Sequence, residues 1–258
     1  MMSTFMAQYA VNQTVKWIQE YFSESAQKKA VIGISGGKDS SVVAALCARA
    51  LGAENVLGVM LPDGEQPDIE ASYDLVHHLG IPFVKLDISP LPSLLLSRME
   101  SIGIEPTEQA ITNLPARIRM SALFAVSQSV GGRVANTCNL SEDFIGYSTL
   151  FGDNAGQFAP IAKFTVTEVK AMGRALGLPA HLVDKPPADG LCGKTDEENL
   201  GFTYETLDQY IRTLSCSNLE SLNRIEELHE KNRFKLELVR IPHPDIWACD
   251  FYCKEEEK

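Results

Sequence analysis

Between an apolar run, Ala30-Val31-Ile32, and a helix-forming stretch beginning at Ser40, the chain reads Gly33-Ile34-Ser35-Gly36-Gly37-Lys38-Asp39-Ser40. A glycine-rich turn between a strand and a helix is an anion cradle, because free backbone N–H groups at the helix start point outward and the helix dipole favours negative charge. Gly36 and Gly37 offer amides, Ser35 and Ser40 hydroxyls, Lys38 a cation and Asp39 a carboxylate. Two common phosphate loops are excluded. The pattern GxxxxGK[ST] fails because Gly33 lies one residue too close to Gly37-Lys38, and Asp39 stands where a metal-binding hydroxyl belongs. The dinucleotide pattern GxGxxG fails because no glycine lies two residues after Gly33. A carboxylate in an anion cradle repels its ligand unless a divalent cation stands between them, so these residue types point to a nucleotide with magnesium. The same stretch also reads as an ordinary helix start with Ser and Asp as caps, and the residues alone leave both readings open.

The elements that must position this turn follow from periodicity. Apolar β-rich runs at 30–34, 56–61, 82–86 and 133–137 alternate with helical patterns at 40–51, 68–79 and 112–130. That alternation predicts an α/β fold, a doubly wound parallel sheet flanked by helices, with the ligand crevice at the carboxyl ends of its strands. Val11, Val15, Ile18 and Phe22 recur at helical spacing and predict an amphipathic helix before the first strand. Two stretches rich in Gly, Pro and Asp, 147–160 and 185–201, read as long loops, and helices are expected at 165–176, 204–214 and 219–232. The whole reads as a single domain, with a core over 28–180 and a helical and loop part over 181–258.

Composition narrows the function. Lys plus Arg number 23 against 34 Asp plus Glu, a net charge of -11 that repels a phosphate backbone and argues against a nucleic-acid partner. Any phosphate site must be local. The six cysteines form no CxxC pair and lack the histidine spacing of a zinc site, so buried free thiols are expected. Neither a basic cluster followed by an apolar run nor a membrane span is visible, which predicts a cytoplasmic protein without a membrane partner.

The string SGGKDS resembles the signature loop of the N-type ATP pyrophosphatases, the adenylate-forming group that includes GMP synthetase, asparagine synthetase, tRNA thiouridylases and NAD synthetase. Further stretches narrow it: Arg117-Ile118-Arg119-Met120; Thr137-Cys138-Asn139-Leu140-Ser141-Glu142; Gly152-Asp153 through Ala159-Pro160, followed by Thr167-Glu168-Val169; and KPPADGLCGKTDEENLGFTYETLDQYI. In this order they are similar to the ammonia-dependent NAD synthetases, over roughly residues 10 to 240. The resemblance implies a ligase forming a carbon–nitrogen bond: nicotinate adenine dinucleotide, ATP and ammonia give NAD, AMP and pyrophosphate through an acyl-adenylate.

The resemblance also implies roles for particular residues. Gly33, Ile34, Ser35, Gly36, Gly37, Lys38, Asp39 and Ser40 would hold ATP, with Met60, Thr137, Lys185 and Thr195 completing that site. Lys38, Asp39 and Lys194 would be catalytic, and Asp39 and Glu142 would share a magnesium ion. Arg117 and the position of Gln157 would bind the dinucleotide, with Lys163 nearby as a substitute cation; Phe234 and Lys235 match a pair that reaches the substrate from the partner subunit, so a homodimer is implied. Residues 63–66 and the loop carrying Lys185, Lys194 and Thr195 match two covers that exclude water from the reacting phosphates.

The chain departs from the family pattern at three positions. Leu150 stands where many members carry a lysine, Gln157 where they carry an aspartate, and Val166 where they carry a lysine. Gln157 can still hydrogen-bond but cannot act as a base, and Lys163 is the nearby cation available in place of a missing one. A glutamine donor would require a further domain with its own cysteine, for which 258 residues leave no room beside this fold, so free ammonia is the expected donor. Two other readings remain: a tRNA-thiolating enzyme of the same loop class using Cys138 and Cys192, and an adenine-nucleotide binding module without catalysis.

Overall fold

The computed structural model of the chain describes residues 5–184 and 196–237. Its order is α1 (Ala7–Glu24), β1 (Lys29–Gly33), α2 (Lys38–Leu51), β2 (Val56–Met60), α3 (Ile69–Leu79), β3 (Phe83–Lys85), α4 (Pro90–Ser101), α5 (Glu108–Ser129), β4 (Gly132–Val134), α6 (Leu140–Ile145), α7 (Val166–Ala175), α8 (Ala180–Val183), α9 (Asp196–Leu200), α10 (Tyr204–Thr213) and α11 (Leu219–Asn232), with short 3-10 turns at Ala53–Asn55 and Arg233–Lys235.

The four described strands form one parallel sheet in the order β3-β2-β1-β4. Val31 pairs with Leu57 on one side and Val134 on the other, so β1 is central and its Ala30, Val31 and Ile32 are buried. Strands buried on both faces read as continuous apolar runs, which is why β1 shows no alternation. One face packs on α1, α2 and α7 through Ile18, Phe22, Leu46 and Met172, and the other on α5 through Ile118, Leu123 and Val126. From β1 the chain winds outward through β2 and β3, then returns to place β4 on the other side of β1. The strand order reverses there, and the crevice of such a fold opens at the carboxyl ends of the two strands flanking that reversal. A smaller apolar cluster, with Ile145, Leu207 and Ile225 at its heart, packs α6 against α10 and α11.

The doubly wound core matches expectation, with differences at particular elements. The helix expected from Ser40 begins at Lys38, so Lys38 and Asp39 lie in its first turn. The helix expected at 112–130 begins at Glu108, capped by Thr107, whose Oγ1 accepts from the Ala110 N–H at 3.2 Å. No helix is expected over 90–101, yet α4 forms there; its Leu91, Leu94 and Leu95 are exposed, so periodicity carried no burial signal. The strand expected at 133–137 ends at Val134, and Ala135 instead bridges in parallel to Phe158, bringing the loop 147–160 against the sheet edge. No described helix is long and apolar enough to cross a membrane.

Candidate active site

The turn after β1 is built by local contacts. The Ile34 N–H continues the ladder to Val59 O at 2.9 Å, and the chain then reverses at Gly36, whose φ of +76° is a left-handed conformation. A Cβ there would stand 3.1 Å from both Ala71 Cβ and Ser72 Oγ, so strain and crowding both require glycine. Ser35 Oγ accepts from the Gly37 N–H at 3.3 Å and lies 3.2 Å from Ser40 Oγ, while the Ser41 hydroxyl donates to Gly37 O at 2.7 Å. Gly37 caps α2 without a side chain, which leaves the first-turn amides to solvent or ligand. Gln66, from the expected cover at 63–66, donates to Ser35 O at 3.4 Å, so that segment does reach the turn.

Lys38 and the carboxylates form the charged centre. The Lys38 ammonium is not extended into solvent: its side chain is 4% exposed, with Nζ 2.8 Å from Asp39 Oδ2, 3.7 Å from Glu142 Oε1 and 5.7 Å from the centre of the Tyr204 ring. Asn139, fully buried, ties the two acids together. Its Nδ2 donates to Asp39 Oδ1 at 3.0 Å, and its Oδ1 accepts from the Glu142 N–H at 3.1 Å as the cap of α6. Burial works against the Lys38 charge, but Asp39 and Glu142 outweigh it and raise the lysine above its ordinary range. Burial and repulsion from Asp39 push Glu142 up to about 8 despite Lys38.

The donor set is one that a divalent cation could share with phosphates. Two carboxylates from the first turns of α2 and α6 already converge on one cation, and among the described residues no group of three or more His, Cys, Asp or Glu could form a complete cage. Magnesium is suited to such a half-built site, since it keeps several waters and takes one or two carboxylates plus substrate phosphates.

Glu142 is positioned from a distance. At the amino end of α6, the Ser141 hydroxyl donates to Asp208 Oδ1 at 2.5 Å, Asp208 Oδ2 accepts from the Thr167 N–H at 2.7 Å, and the Val166 N–H donates to Ser141 Oγ at 3.0 Å. At its carboxyl end, successive carbonyls are capped from α11 and the turn after it. His229 Nδ1 donates to Phe144 O at 2.7 Å, Asn232 Nδ2 to Ile145 O at 3.0 Å, and Lys235 Nζ to Gly146 O at 2.7 Å and Ser148 O at 2.9 Å. Lys235 is thus engaged within its own chain, while Phe234 beside it is 57% exposed.

The other expected residues are scattered more widely. Arg117 Nε donates to Leu150 O at 3.3 Å, and Arg119, which sequence reasoning did not select, donates to Leu61 O at 2.9 Å beside the carboxyl end of β2. Both lie midway along α5, and the Arg-x-Arg pair was the available signal. Met60 is buried at the end of β2 and Thr137 is half-buried between β4 and α6. Gln157 lies away from the charged centre, its Oε1 accepting from the Val134 N–H at 2.9 Å and its own N–H donating to Val134 O at 2.8 Å. Lys163 is exposed, and its carbonyl accepts from Arg212. Val166 is buried in the cluster beneath α6, so packing occupies that departure from the family pattern. Lys185, Lys194, Thr195 and Cys192 lie outside the described residues. Cys47 and Cys138 are free and buried, as expected, and burial raises both thiols; at Cys138 the neighbouring carboxylates add to this, which disfavours a reactive thiolate.

Comparison with known proteins places this geometry. The sequence profile of the NAD synthase family matches residues 10–239. The NH(3)-dependent NAD(+) synthetase of Methanocaldococcus jannaschii is 37% identical over 255 residues, covering 92% of this chain and 96% of that protein. The enzyme of the same name from Finegoldia magna is 35% identical over 223 residues, covering 85% and 91%. Among solved structures, an NMN synthetase from Francisella tularensis superposes with a TM-score of 0.86 at 28% identity, covering 93% of this chain and 100% of that one. The NH3-dependent NAD synthetase of Campylobacter jejuni superposes with a TM-score of 0.76 at 28% identity and the same coverage.

Proposed function

This chain belongs to the NAD synthase family, and from that premise we propose that it amidates the nicotinate carboxyl of deamido-NAD with ammonia, converting ATP to AMP and pyrophosphate. The observation that carries the reading is the convergence of Asp39 and Glu142, from the helix starts that follow β1 and β4, beside a turn that presents backbone amides. In this reading the amides at 36–40 and the Ser35 and Ser40 hydroxyls hold the pyrophosphate part of ATP. That leaves the α-phosphorus open to a carboxylate oxygen of the substrate. The acyl-adenylate forms as the Pα–O bond to pyrophosphate breaks; ammonia then attacks the acyl carbon, loses a proton and expels AMP. Asp39 and Glu142 would hold magnesium, which when bound supplies charge neutralisation between phosphate oxygens. Asn139 orients both acids, and Gln66 with residues 63–66 forms one side of a cover that keeps water from the adenylate. Arg117 and Arg119 place guanidinium groups where an anionic substrate would enter.

The sheet edge at β3 and the α4–α5 pair leave Phe83, Val84, Leu94, Leu95 and Ile111 exposed. That apolar surface supports the homodimer reading, which sedimentation equilibrium would test. In such a dimer Lys235 acts first within its own chain, as a clamp on residues 146–148, rather than as a donor to the partner's substrate.

A second reading concerns the acceptor. The higher TM-score to an NMN synthetase, at equal identity, and the uncharged Leu150 and Gln157 support a substrate smaller than the dinucleotide. Incubation with ATP, magnesium, ammonium and either nicotinate adenine dinucleotide or nicotinate mononucleotide decides between them. The proposed function requires AMP, pyrophosphate and NAD in equal amounts from the dinucleotide. Release of ADP, or of no nucleotide product, would refute it, and faster turnover of the mononucleotide would move the assignment to the second reading.

A further inference from the structure

A lysine in an anion cradle is expected to reach outward toward phosphate, but Lys38 does not. It is the first residue of α2, and its ammonium lies beneath the turn, 2.8 Å from Asp39 Oδ2 and 3.7 Å from Glu142 Oε1, with the Tyr204 ring face 5.7 Å away. Each neighbour favours a cation there: the acids by direct attraction and the ring through its quadrupole. Asn139 holds Asp39 Oδ1 from the other side, so the acid cannot simply turn away from the lysine. The chain therefore carries a cation of its own at the point where its two acids meet.

We propose that Lys38 is the resident counter-ion of the Asp39–Glu142 pair and thereby sets the order in which a divalent cation is bound. The inference rests on the assignment of those two acids to the metal in the proposed function. With the ammonium in place the three groups carry at most one net negative charge, too little to hold a dication against its own hydration shell. Bare metal is therefore bound weakly by the free chain. A triphosphate brings more negative charge than the metal neutralises and offers the ammonium an alternative partner. The metal accordingly binds well together with the nucleotide rather than ahead of it. The lysine thus guards against occupation of the site by metal without substrate.

Titration with Mn2+, followed by the electron paramagnetic resonance signal of the free ion, reads this without turnover. The unaltered chain, Lys38→Gln and Lys38→Arg would each be titrated alone and with α,β-methylene ATP, which cannot yield AMP. Without nucleotide, Lys38→Gln is expected to bind Mn2+ about ten-fold or more tightly than the unaltered chain, because a unit charge this close to a dication weighs at least that much even with screening. Lys38→Arg keeps the charge and is expected to bind no more tightly than the unaltered chain. With nucleotide the difference should shrink, since the phosphates then dominate the metal's surroundings. Equal or weaker Mn2+ binding by Lys38→Gln overturns the proposal. So does tighter binding by Lys38→Arg, or a Lys38→Gln chain that is unfolded without metal and not refolded by Mn2+. If no variant binds Mn2+ even with the nucleotide present, the metal assignment itself falls, and the inference falls with it for that separate reason.

Discussion

Asp39 and Glu142 sit in the first turns of the helices that follow the neighbouring strands β1 and β4 and face the same ammonium, yet they are held in different ways. The turn bearing Asp39 is shaped by Ser35, Gly36, Gly37 and Ser40, within a few residues of it. The short helix bearing Glu142 is braced by Asp208, His229, Asn232 and Lys235, across separations of 67 to 89 residues. A six-residue helix is marginal by itself, so α6 owes its position to these later elements. Two consequences follow. The glycine turn is built mainly by its own residues, with Gln66 and Asn139 as its distant contacts, whereas Glu142 is coupled to the stability of the C-terminal helices. Damage to those helices should therefore appear as lost catalysis before it appears as lost nucleotide binding.

The sharpest way to break the comparison is at its shared centre. Asp39→Asn removes a charge that both sides need, and steady-state turnover should fall by more than about a hundred-fold while the fold, read by circular dichroism, is retained. An unaffected rate would remove Asp39 from the metal. Next comes the distant brace. Asp208→Ala leaves the buried Ser141 hydroxyl and the partly exposed Thr167 N–H without their acceptor, at a cost of about 1–3 kcal/mol in urea unfolding. In the same variant kcat should fall more than the affinity for ATP. Equal losses in both would show that α6 and the turn move as one unit.

On the local side, Gly36→Ala forces a Cβ into a left-handed conformation against Ala71 and Ser72, costing about 1–2 kcal/mol. Here the KM for ATP should rise while α6 is unaffected, the reverse of the Asp208 pattern. The smallest effect is expected at Lys235→Met, which frees the carbonyls of Gly146 and Ser148 at the partly exposed end of the clamp. A fall in kcat of about five-fold, restored by Lys235→Arg, fits a net hydrogen-bond contribution of about 1 kcal/mol. A change confined to KM for the dinucleotide would instead favour direct contact with substrate.

The same contrast explains what the sequence made legible. The parallel sheet, the anion turn and α2 announce themselves through apolar runs, paired glycines and a helix start, all of them local signals. The proposed magnesium rests at the sequence level on one residue, Asp39, in an otherwise anion-seeking turn. The inward direction of Lys38 was not legible, because it depends on Glu142 arriving from 104 residues away, after β4 has been placed beside β1. Asn139 had a usable signal, an Asn followed three residues later by Glu, the pattern of a helix cap. Its second bond, to Asp39, had none. The clamp made by Lys235 was hidden for a similar reason: its partners are backbone carbonyls, which carry no residue type to recognise.

The central claim is that a substrate carboxylate attacks the α-phosphorus of ATP held at residues 35–40. It can be tested by supplying nicotinate adenine dinucleotide labelled with 18O in its carboxyl group and analysing the products by mass spectrometry. An acyl-adenylate requires the label to appear in the phosphate of AMP as the amide forms. Label found in pyrophosphate or released as water, with AMP unlabelled, would contradict it.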